Sequence, residues 1–286
     1  MRIIMSLATA LLLMVSLAAC GGDTSPKGKV AKIQQLIENK KYESALEKAR
    51  ALMPEMPTDS ALLMATAKAY QGLDKADSAH SYAKKFTALY PMRLDGYQLL
   101  YATGEEVLDY DAQIWAVSQL GYLENNRRKY HQQIAELNFL RGEYGMAMKT
   151  CEMILEYDPN NSRALFVLAN SLAAANQIDS AIAIMEQLNF KNPDKVEILS
   201  NLASFFVSKR DFDKAAIHFK RLTTIYPDYM PGWFGLGNVL LSRGDTLEAM
   251  RAYEQVWERD STFLNVDSIM HELNRLKPMD IKQIGN

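Results

Sequence analysis

Apolar residues recur every three or four positions along most of this chain. In residues 162–191 one such stripe follows another after a polar turn: Leu165, Leu168, Ala169 and Leu172, then Ala181, Met185 and Leu188. This spacing places the apolar side chains on one face of an α-helix. The pattern therefore predicts two amphipathic helices joined by a short turn, and similar turns are predicted around Gly142 and Gly244.

The same pattern returns at a fixed interval. One series of prolines is separated by 34, 68, 34 and 34 residues: Pro57, Pro91, Pro159, Pro193 and Pro227. A series of alanines has the same spacing with one further step of 34: Ala45, Ala79, Ala147, Ala181, Ala215 and Ala249. Because two independent series share one period and skip the same place, the chain contains an internal repeat.

The residues within one repeat resemble a known family. The pattern W-x2-L-G-x2-Y, then A-x3-F, then P is represented near the C-terminus by Trp233, Leu236, Gly237, Ala249 and Tyr253. This resembles the tetratricopeptide repeat. The resemblance implies an all-α fold, a right-handed superhelix of about seven 34-residue helix pairs followed by a C-terminal cap helix.

The repeat also divides the chain. We count seven copies that begin near residues 26, 60, 94, 128, 162, 196 and 230. They predict a repeat array over residues 30–263, a cap helix over 264–277 and a loose tail over 278–286. The cap helix is indicated by one more apolar stripe: Val266, Ile269, Met270, Leu273 and Leu276.

The N-terminus has a different character. Residues 1–19 combine Arg2, a short apolar run and small residues, which is typical of an export signal. The sequence Leu-Ala-Ala before Cys20 resembles a bacterial lipobox, which implies acylation of the Cys20 thiol and a lipid anchor. Residues 20–29 then predict a flexible tether. By resemblance to the proteobacterial sorting rule, Gly21 after the cysteine implies the outer rather than the inner membrane, and we expect the chain to face the periplasm. The alternative is an ordinary secretory signal with Cys20 incidental.

Composition excludes some partners. The formal net charge of the chain is −2, and it becomes −3 if cleavage removes Arg2. We therefore expect no nucleic acid as a main partner, because phosphate binding needs a basic face. If Cys20 carries lipid, Cys151 is the other of the chain's two cysteines and has no intramolecular disulfide partner.

Catalytic motifs are absent from the sequence. The four histidines are scattered without the spacing of a metal site, so we predict no metal, no cofactor and no enzymatic activity. Gly235 and Gly237 form a Gly-x-Gly that could belong to a nucleotide-binding turn, but Leu240 replaces the third glycine and no strand is predicted before it. Cys151 occupies a core position of the repeat and is predicted to be buried rather than nucleophilic.

The family resemblance implies a concave groove lined by the first helix of each pair. In the last three copies the candidate groove residues are Phe166, Asn170, Asn201, Phe234, Asn238 and Leu241, with Ala173, Ser204 and Val207 beside them. Asparagine offers a donor and an acceptor to a peptide backbone, which favours binding of a partner segment. The alternative is that asparagine is simply common at exposed positions. A clamp for acidic C-terminal tails is not expected, because Phe166, Pro231 and Gly235 occupy its basic positions.

Two other features, the third copy and a recurring triplet, each have two interpretations. The third copy, residues 94–127, departs from the repeat, and Gly104 and Gly121 interrupt it. This predicts either irregular packing or a partner contact through Arg127, Arg128 and Lys129. Several triplets consist of Asp, then Ser or Thr, then an aliphatic residue, for example residues 59–61 and 179–181. They are similar to a bacterial O-glycosylation sequon. The alternative is that they mark helix starts, which Asp and Ser favour.

These observations predict a lipid-anchored scaffold that binds partner proteins in the bacterial cell envelope. The alternatives are a lipoprotein associated with glycan or peptidoglycan, and an adaptor that regulates an envelope enzyme.

Overall fold

The computed structural model describes residues 25–276, and its regular structure is helical throughout this range. The predictions for the signal peptide, Cys20 and the C-terminal tail concern residues outside that range. The helices are α1 Pro26–Glu38, α2 Tyr42–Leu52, α3 Ser60–Gln71, α4 Ala76–Leu89, α5 Leu94–Glu106, α6 Tyr110–Leu123, α7 His131–Leu140, α8 Tyr144–Tyr157, α9 Ser162–Ala174, α10 Ile178–Lys191, α11 Val196–Ser208, α12 Phe212–Ile225, α13 Met230–Ser242, α14 Thr246–Trp257 and α15 Val266–Leu276.

The described helices fall into two compact units, divided between Leu137 and Asn138, which we call the N-terminal and C-terminal units. In the N-terminal unit α1 packs on α2, α3 on α4 and α5 on α6. In the C-terminal unit α9 packs on α10, α11 on α12 and α13 on α14, and α15 packs on α14. The predicted all-α fold, an array of helix pairs followed by a C-terminal helix, is therefore confirmed.

The first helix begins earlier than the predicted tether allows. Ser25 accepts a hydrogen bond from the backbone N–H of Gly28, and Pro26 occupies the first helical position. Both residues favour a helix start, because Ser satisfies an orphan donor and Pro has a φ angle suited to the helix. The tether prediction is thus wrong for residues 26–29, which belong to α1.

A left-handed residue closes each turn within a pair. Positive φ angles occur every 34 residues, at Lys40, Asp74, Leu108, Gly142, Asn176, Arg210 and Gly244. In each turn the next residue donates its N–H to the carbonyl five residues earlier, at 2.8–3.0 Å. This hydrogen bond satisfies a free carbonyl at the end of the first helix. The sequence identified the three turns that contain Gly or Asn, whereas the other four place larger residues in the same conformation.

Small residues lie where the two helices of a pair meet. All six alanines of the repeated series have 0% exposure: Ala45, Ala79, Ala147, Ala181, Ala215 and Ala249. At Gly237 an added Cβ would lie 2.6 Å from the Tyr253 ring on α14, and at Gly235 it would lie 2.4 Å from the Phe219 ring on α12. Both glycines therefore admit an aromatic ring against the α13 backbone, which explains the Gly-x-Gly pattern by packing.

The irregular part of the chain lies later than predicted. Helices α5 and α6 continue through Gly104 and Gly121, so the prediction that these glycines interrupt the third copy is wrong. An added Cβ on Gly121 would lie 3.1 Å from the Cα of Arg127, so this glycine lets the following segment pass close to α6. That segment, Arg127–Tyr130, is a 3₁₀ turn, and the shortened α7 follows it.

The C-terminal helix follows a second 3₁₀ turn, Phe263–Asn265. Leu264 and Asn265 have positive φ angles of 45° and 60°, which turn the chain back onto α14. Val266, Met270 and Leu273 are buried in the core of the C-terminal unit. These three residues of the predicted apolar stripe therefore pack against α14.

Candidate partner-binding surface

The predicted groove residues lie on three first helices of the C-terminal unit. Helix α9 carries two of them, α11 one and α13 three, in the order Phe166, Asn170, Asn201, Phe234, Asn238 and Leu241. Leu241 is 38% exposed and Val207, on α11, is 36% exposed. The surface of these helices thus offers apolar area to solvent.

The asparagines are partly engaged within the protein. The Nδ2 groups of Asn170 and Asn201 donate to the carbonyls of Phe166 and Glu197, one turn earlier, at 2.9 and 2.8 Å. The Oδ1 of Asn238 accepts a hydrogen bond from the Tyr253 hydroxyl at 2.7 Å. Each amide still has a donor and an acceptor for a partner. Asn170 and Asn201 retain one Nδ2–H and the carbonyl oxygen, and Asn238 retains both N–H donors and a second lone pair on Oδ1.

Phe234 belongs to the packing of the C-terminal end. Its ring meets the rings of Tyr253 and Phe263 edge to face, with centroids 5.8 and 6.0 Å apart. Such pairs stabilise a fold beyond their buried area. Phe234 thus connects α13, α14 and the turn before α15.

Phe166 lines a pocket between α9, α10 and α11. The pocket has a volume of about 330 Å³, and its apolar wall consists of Phe166, Leu188 and Ile198. Arg163 and Lys195 also line it, and the Arg163 guanidinium lies 5.9 Å from the centroid of the Phe166 ring. Glu197 lines it as well, so the pocket combines an apolar wall with two cationic side chains and one carboxylate.

The sequence analysis did not place Arg163 or Lys195 in the candidate site. Arg163 is the second residue of the copy that begins near residue 162. In the family the second residue of a copy lines the groove, so the sequence could have predicted that Arg163 lies there. Lys195 precedes α11 and lies 32 positions further on. No periodic pattern predicts that these two side chains share one pocket.

A buried polar cluster in the N-terminal unit has a superficial likeness to a catalytic triad. The Nδ1 of His80 lies 3.0 Å from the Thr103 hydroxyl, and its Nε2 lies 3.1 Å from the Asp109 carboxylate. Lys84 donates to Asp109 at 2.7 Å and, with the backbone N–H of Ala112, holds the pKa of the Asp109 carboxyl well below its ordinary value.

The geometry of this cluster is structural. Thr103 has 0% exposure, and its hydroxyl donates to the Leu99 carbonyl at 2.9 Å. A hydroxyl without access to solvent cannot attack a substrate. Asp109 caps the N-terminus of α6 through the Ala112 N–H at 2.9 Å. The cluster therefore joins α4, α5 and α6.

The other candidate catalytic side chains, a cysteine and two histidines, are also described by their burial. Cys151 has 0% exposure. His218 stacks on Phe206 with ring centroids 5.4 Å apart, and burial lowers its pKa. Burial also lowers the pKa of His131. Within residues 25–276 no group of three or more His, Cys, Asp or Glu side chains is placed to hold a metal ion, and no helix is long and apolar enough to cross a membrane.

The basic segment after α6 forms a depression of about 400 Å³, lined by Tyr122, Asn125, Asn126, Arg127 and Arg128. Lys129 forms an ion pair with Glu124 at 2.7 Å instead of lining it. The Asp-Ser/Thr-aliphatic triplets fall at helix starts, as at α3, where Asp59 accepts from the Leu62 N–H at 2.8 Å. That position agrees with the helix-capping interpretation.

Comparisons with known proteins support the repeat assignment. Residues 139–205 match the family model of the tetratricopeptide repeat. A curated relative, the general transcriptional corepressor trfA of Dictyostelium discoideum, is 35% identical over 77 residues, which are 27% of this chain and 6% of the relative. This chain thus corresponds to a small part of that relative's length.

Two solved structures show the same fold. One is a tetratricopeptide repeat protein from Parabacteroides merdae, with a TM-score of 0.57 and 13% identity, covering 87% of this chain and 99% of the other. The second is the C-terminal part of a TPR repeat-containing protein from Cytophaga hutchinsonii, with a TM-score of 0.59 and 13% identity, covering 84% and 98%. With the matched segment at residues 139–205 and the repeated helix pairs, these findings show that the chain contains tetratricopeptide repeats.

Proposed function

We propose that this protein is a lipid-anchored scaffold of the bacterial cell envelope, which binds a segment of a partner protein on the face of α9, α11 and α13. The tetratricopeptide fold suggests a scaffold for protein–protein interaction. The lipid anchor and the envelope location rest on the sequence around Cys20. No enzymatic step is part of the proposal.

The pocket beside Phe166 is the observation that carries the binding site. Its apolar wall suits an aliphatic or aromatic side chain, because burial of apolar surface drives association. Arg163 and Lys195 outnumber the one carboxylate of the lining, Glu197, and so suit a carboxylate of the partner next to that side chain. The retained carbonyl oxygens of Asn170 and Asn201 suit backbone N–H groups of an extended segment. The expected partner segment is therefore apolar with an acidic residue.

The triple variant Arg163→Gln/Lys195→Gln/Asn201→Ala tests this site and leaves Phe166 and Phe234 in the packing. Crosslinked complexes are captured from native membranes with the wild type and with the variant. We expect one envelope protein to be captured by the wild type and about tenfold less by the variant, because residues at the centre of an interface carry most of its binding energy.

A matched variant controls for charge and for side-chain truncation. Lys149→Gln/Arg251→Gln/Gln187→Ala removes the same number of charges from exposed positions of the C-terminal unit. It should capture the partner as the wild type does. Equal capture by both triple variants would show that the pocket is not the site, and no specific capture by the wild type would contradict the scaffold proposal.

The anchor is tested separately with Cys20→Ser. We expect the wild type to sediment with membranes and to incorporate a labelled fatty acid, and the variant to do neither, because acylation requires the thiol. Membrane association of Cys20→Ser at the wild-type level would refute the lipid anchor. It would not bear on the binding site, which the triple variant tests.

A further inference from the structure

A second groove lies at the C-terminal end of the described chain, between α14 and α15. Its volume is about 460 Å³, and its apolar wall is formed by Trp257 and Met270. The Trp257 side chain is 46% exposed although it is the largest type of apolar side chain. Its Nε1–H donates to the Asp267 carboxylate at 2.9 Å, which holds the indole at the groove.

The groove is also strongly acidic. Glu254, Glu258 and Asp267 line it, together with His271. None of these three carboxylates forms an ion pair with another residue between 25 and 276. Three carboxylates around one groove repel each other, so a cation that enters it gains attraction from all of them.

The neighbouring arginines do not neutralise the groove. Arg259, which follows α14, lies 3.9 Å from the Asp228 carboxylate. Arg275, on α15, forms an ion pair with Glu272 at 2.7 Å. Within residues 25–276 these arginines thus leave the negative charge of the groove in place.

We propose that the groove between α14 and α15 is a second binding site, which takes a lysine or arginine side chain from a basic segment of a partner protein. A cation within about 6 Å of an indole ring is attracted by its negative face, and Trp257 supplies that ring. The carboxylates supply the complementary charge, and Met270 accommodates the aliphatic stem of the side chain. This site differs from the pocket beside Phe166 in both place and charge, and it does not depend on the function proposed for that pocket.

The test uses the full-length protein in detergent and three fluorescein-labelled peptides. Each peptide has twelve residues of Gly and Ser with three substituted positions, which carry Arg in the first, Lys in the second and Gln in the third. We expect fluorescence anisotropy to show binding of the Arg and Lys peptides and none of the Gln peptide. Equal binding of the Gln peptide would overturn the proposal.

Isosteric variants locate the site. In Glu254→Gln/Glu258→Gln/Asp267→Asn the three charges are removed, while Asn at position 267 keeps an oxygen that can accept the Trp257 N–H. We expect the Kd of the Arg peptide to rise about tenfold, because exposed ion pairs each contribute a few-fold to affinity. Trp257→Leu should raise it about threefold through loss of the cation–π contact.

A second triple variant separates a local site from general electrostatic attraction. Glu152→Gln/Glu156→Gln/Glu186→Gln changes the net charge by the same amount at exposed positions on α8 and α10. It should bind the Arg peptide within about twofold of the wild type, since exposed charges more than a Debye length away are screened in physiological salt. An equal loss in both triple variants would overturn the proposal.

Trp257 also gives a direct readout. In a Trp115→Phe/Trp233→Phe background it is the chain's one remaining tryptophan, since the sequence contains three. Its emission should change as the Arg peptide is added, and an unchanged emission at saturating peptide would contradict the assignment. The Arg163→Gln/Lys195→Gln variant should bind the Arg peptide as the wild type does, so failure of the scaffold site and failure of this groove are distinguishable.

Discussion

We expect Tyr253→Ala to lower the free energy of unfolding of the C-terminal unit by about 3–5 kcal/mol, the range for removal of a large aromatic side chain from a core. Tyr253 has 0% exposure, and burial raises its pKa to about 12. Its ring fills the space that Gly237 leaves on α13, and it meets the Phe234 ring. Without it α13 and α14 lose their central contact.

Denaturant unfolding monitored by tryptophan fluorescence measures this effect. In a Trp115→Phe background the remaining tryptophans, Trp233 and Trp257, both lie in the C-terminal unit, so the signal reports that unit. Tyr253→Phe is the matched control. It removes only the hydrogen bond to Asn238 and should cost about 1 kcal/mol. Equal stability of Tyr253→Ala and the wild type would refute the packing argument.

The second large effect is expected at the polar cluster of the N-terminal unit. Asp109→Ala should destabilise that unit by about 2–4 kcal/mol, because it removes the cap of α6 and leaves buried His80 without its carboxylate partner. Asp109→Asn keeps the capping oxygen and should cost less. Fluorescence of Trp115 in a Trp233→Phe/Trp257→Phe background reports this unit.

The contribution of Asp109 should depend on pH. Its pKa in the folded state is lowered, chiefly by the hydrogen bond from Lys84, whereas an unfolded Asp titrates near about 3.9. The unfolded state therefore binds the proton more readily as pH falls, so the stability from the charged form is complete above about pH 5 and is lost progressively below about pH 4. The stability difference between the wild type and Asp109→Asn should shrink in acid.

Asp77→Ala is the control for this prediction. Asp77 is exposed on α4 in the same unit, and surface substitutions of this kind usually change stability by less than about 0.5 kcal/mol. A pH-independent difference between the wild type and Asp109→Asn would show that the ion pair with Lys84 contributes no stability.

The residues that stabilise the fold differ from those proposed to bind partners. Tyr253 and Asp109 hold helices together, whereas Arg163, Lys195 and Trp257 line pockets that are open to solvent. A variant of the first kind should lose stability, and a variant of the second kind should lose binding while it stays folded. The scaffold proposal predicts this division because, in such a fold, the partner would bind to side chains that the core does not use.

The sequence predicted the candidate site only in part. It placed Phe166 and Asn201 on first helices, which the structure bears out. It also placed Phe234 in the groove, and the structure adds that this ring packs on Tyr253 and Phe263. A periodic pattern says which face a side chain occupies. It does not say whether a neighbouring element already covers that side chain.

The repeat, the helical fold and the pairing of the helices could all be predicted from the sequence. They follow from local properties, since the 34-residue spacing of Ala45, Ala79 and their counterparts assigns small residues to the helix contacts. Which polar groups meet depends instead on the tertiary structure. His80 and Asp109 are 29 positions apart, and Arg163 and Lys195 are 32 apart, so no local pattern relates them. Trp257 and Asp267 lie closer along the chain, but they meet only because the turn at Leu264 and Asn265 folds α15 back onto α14. Such contacts depend on the packing of whole helices, which the spacing of apolar residues does not specify.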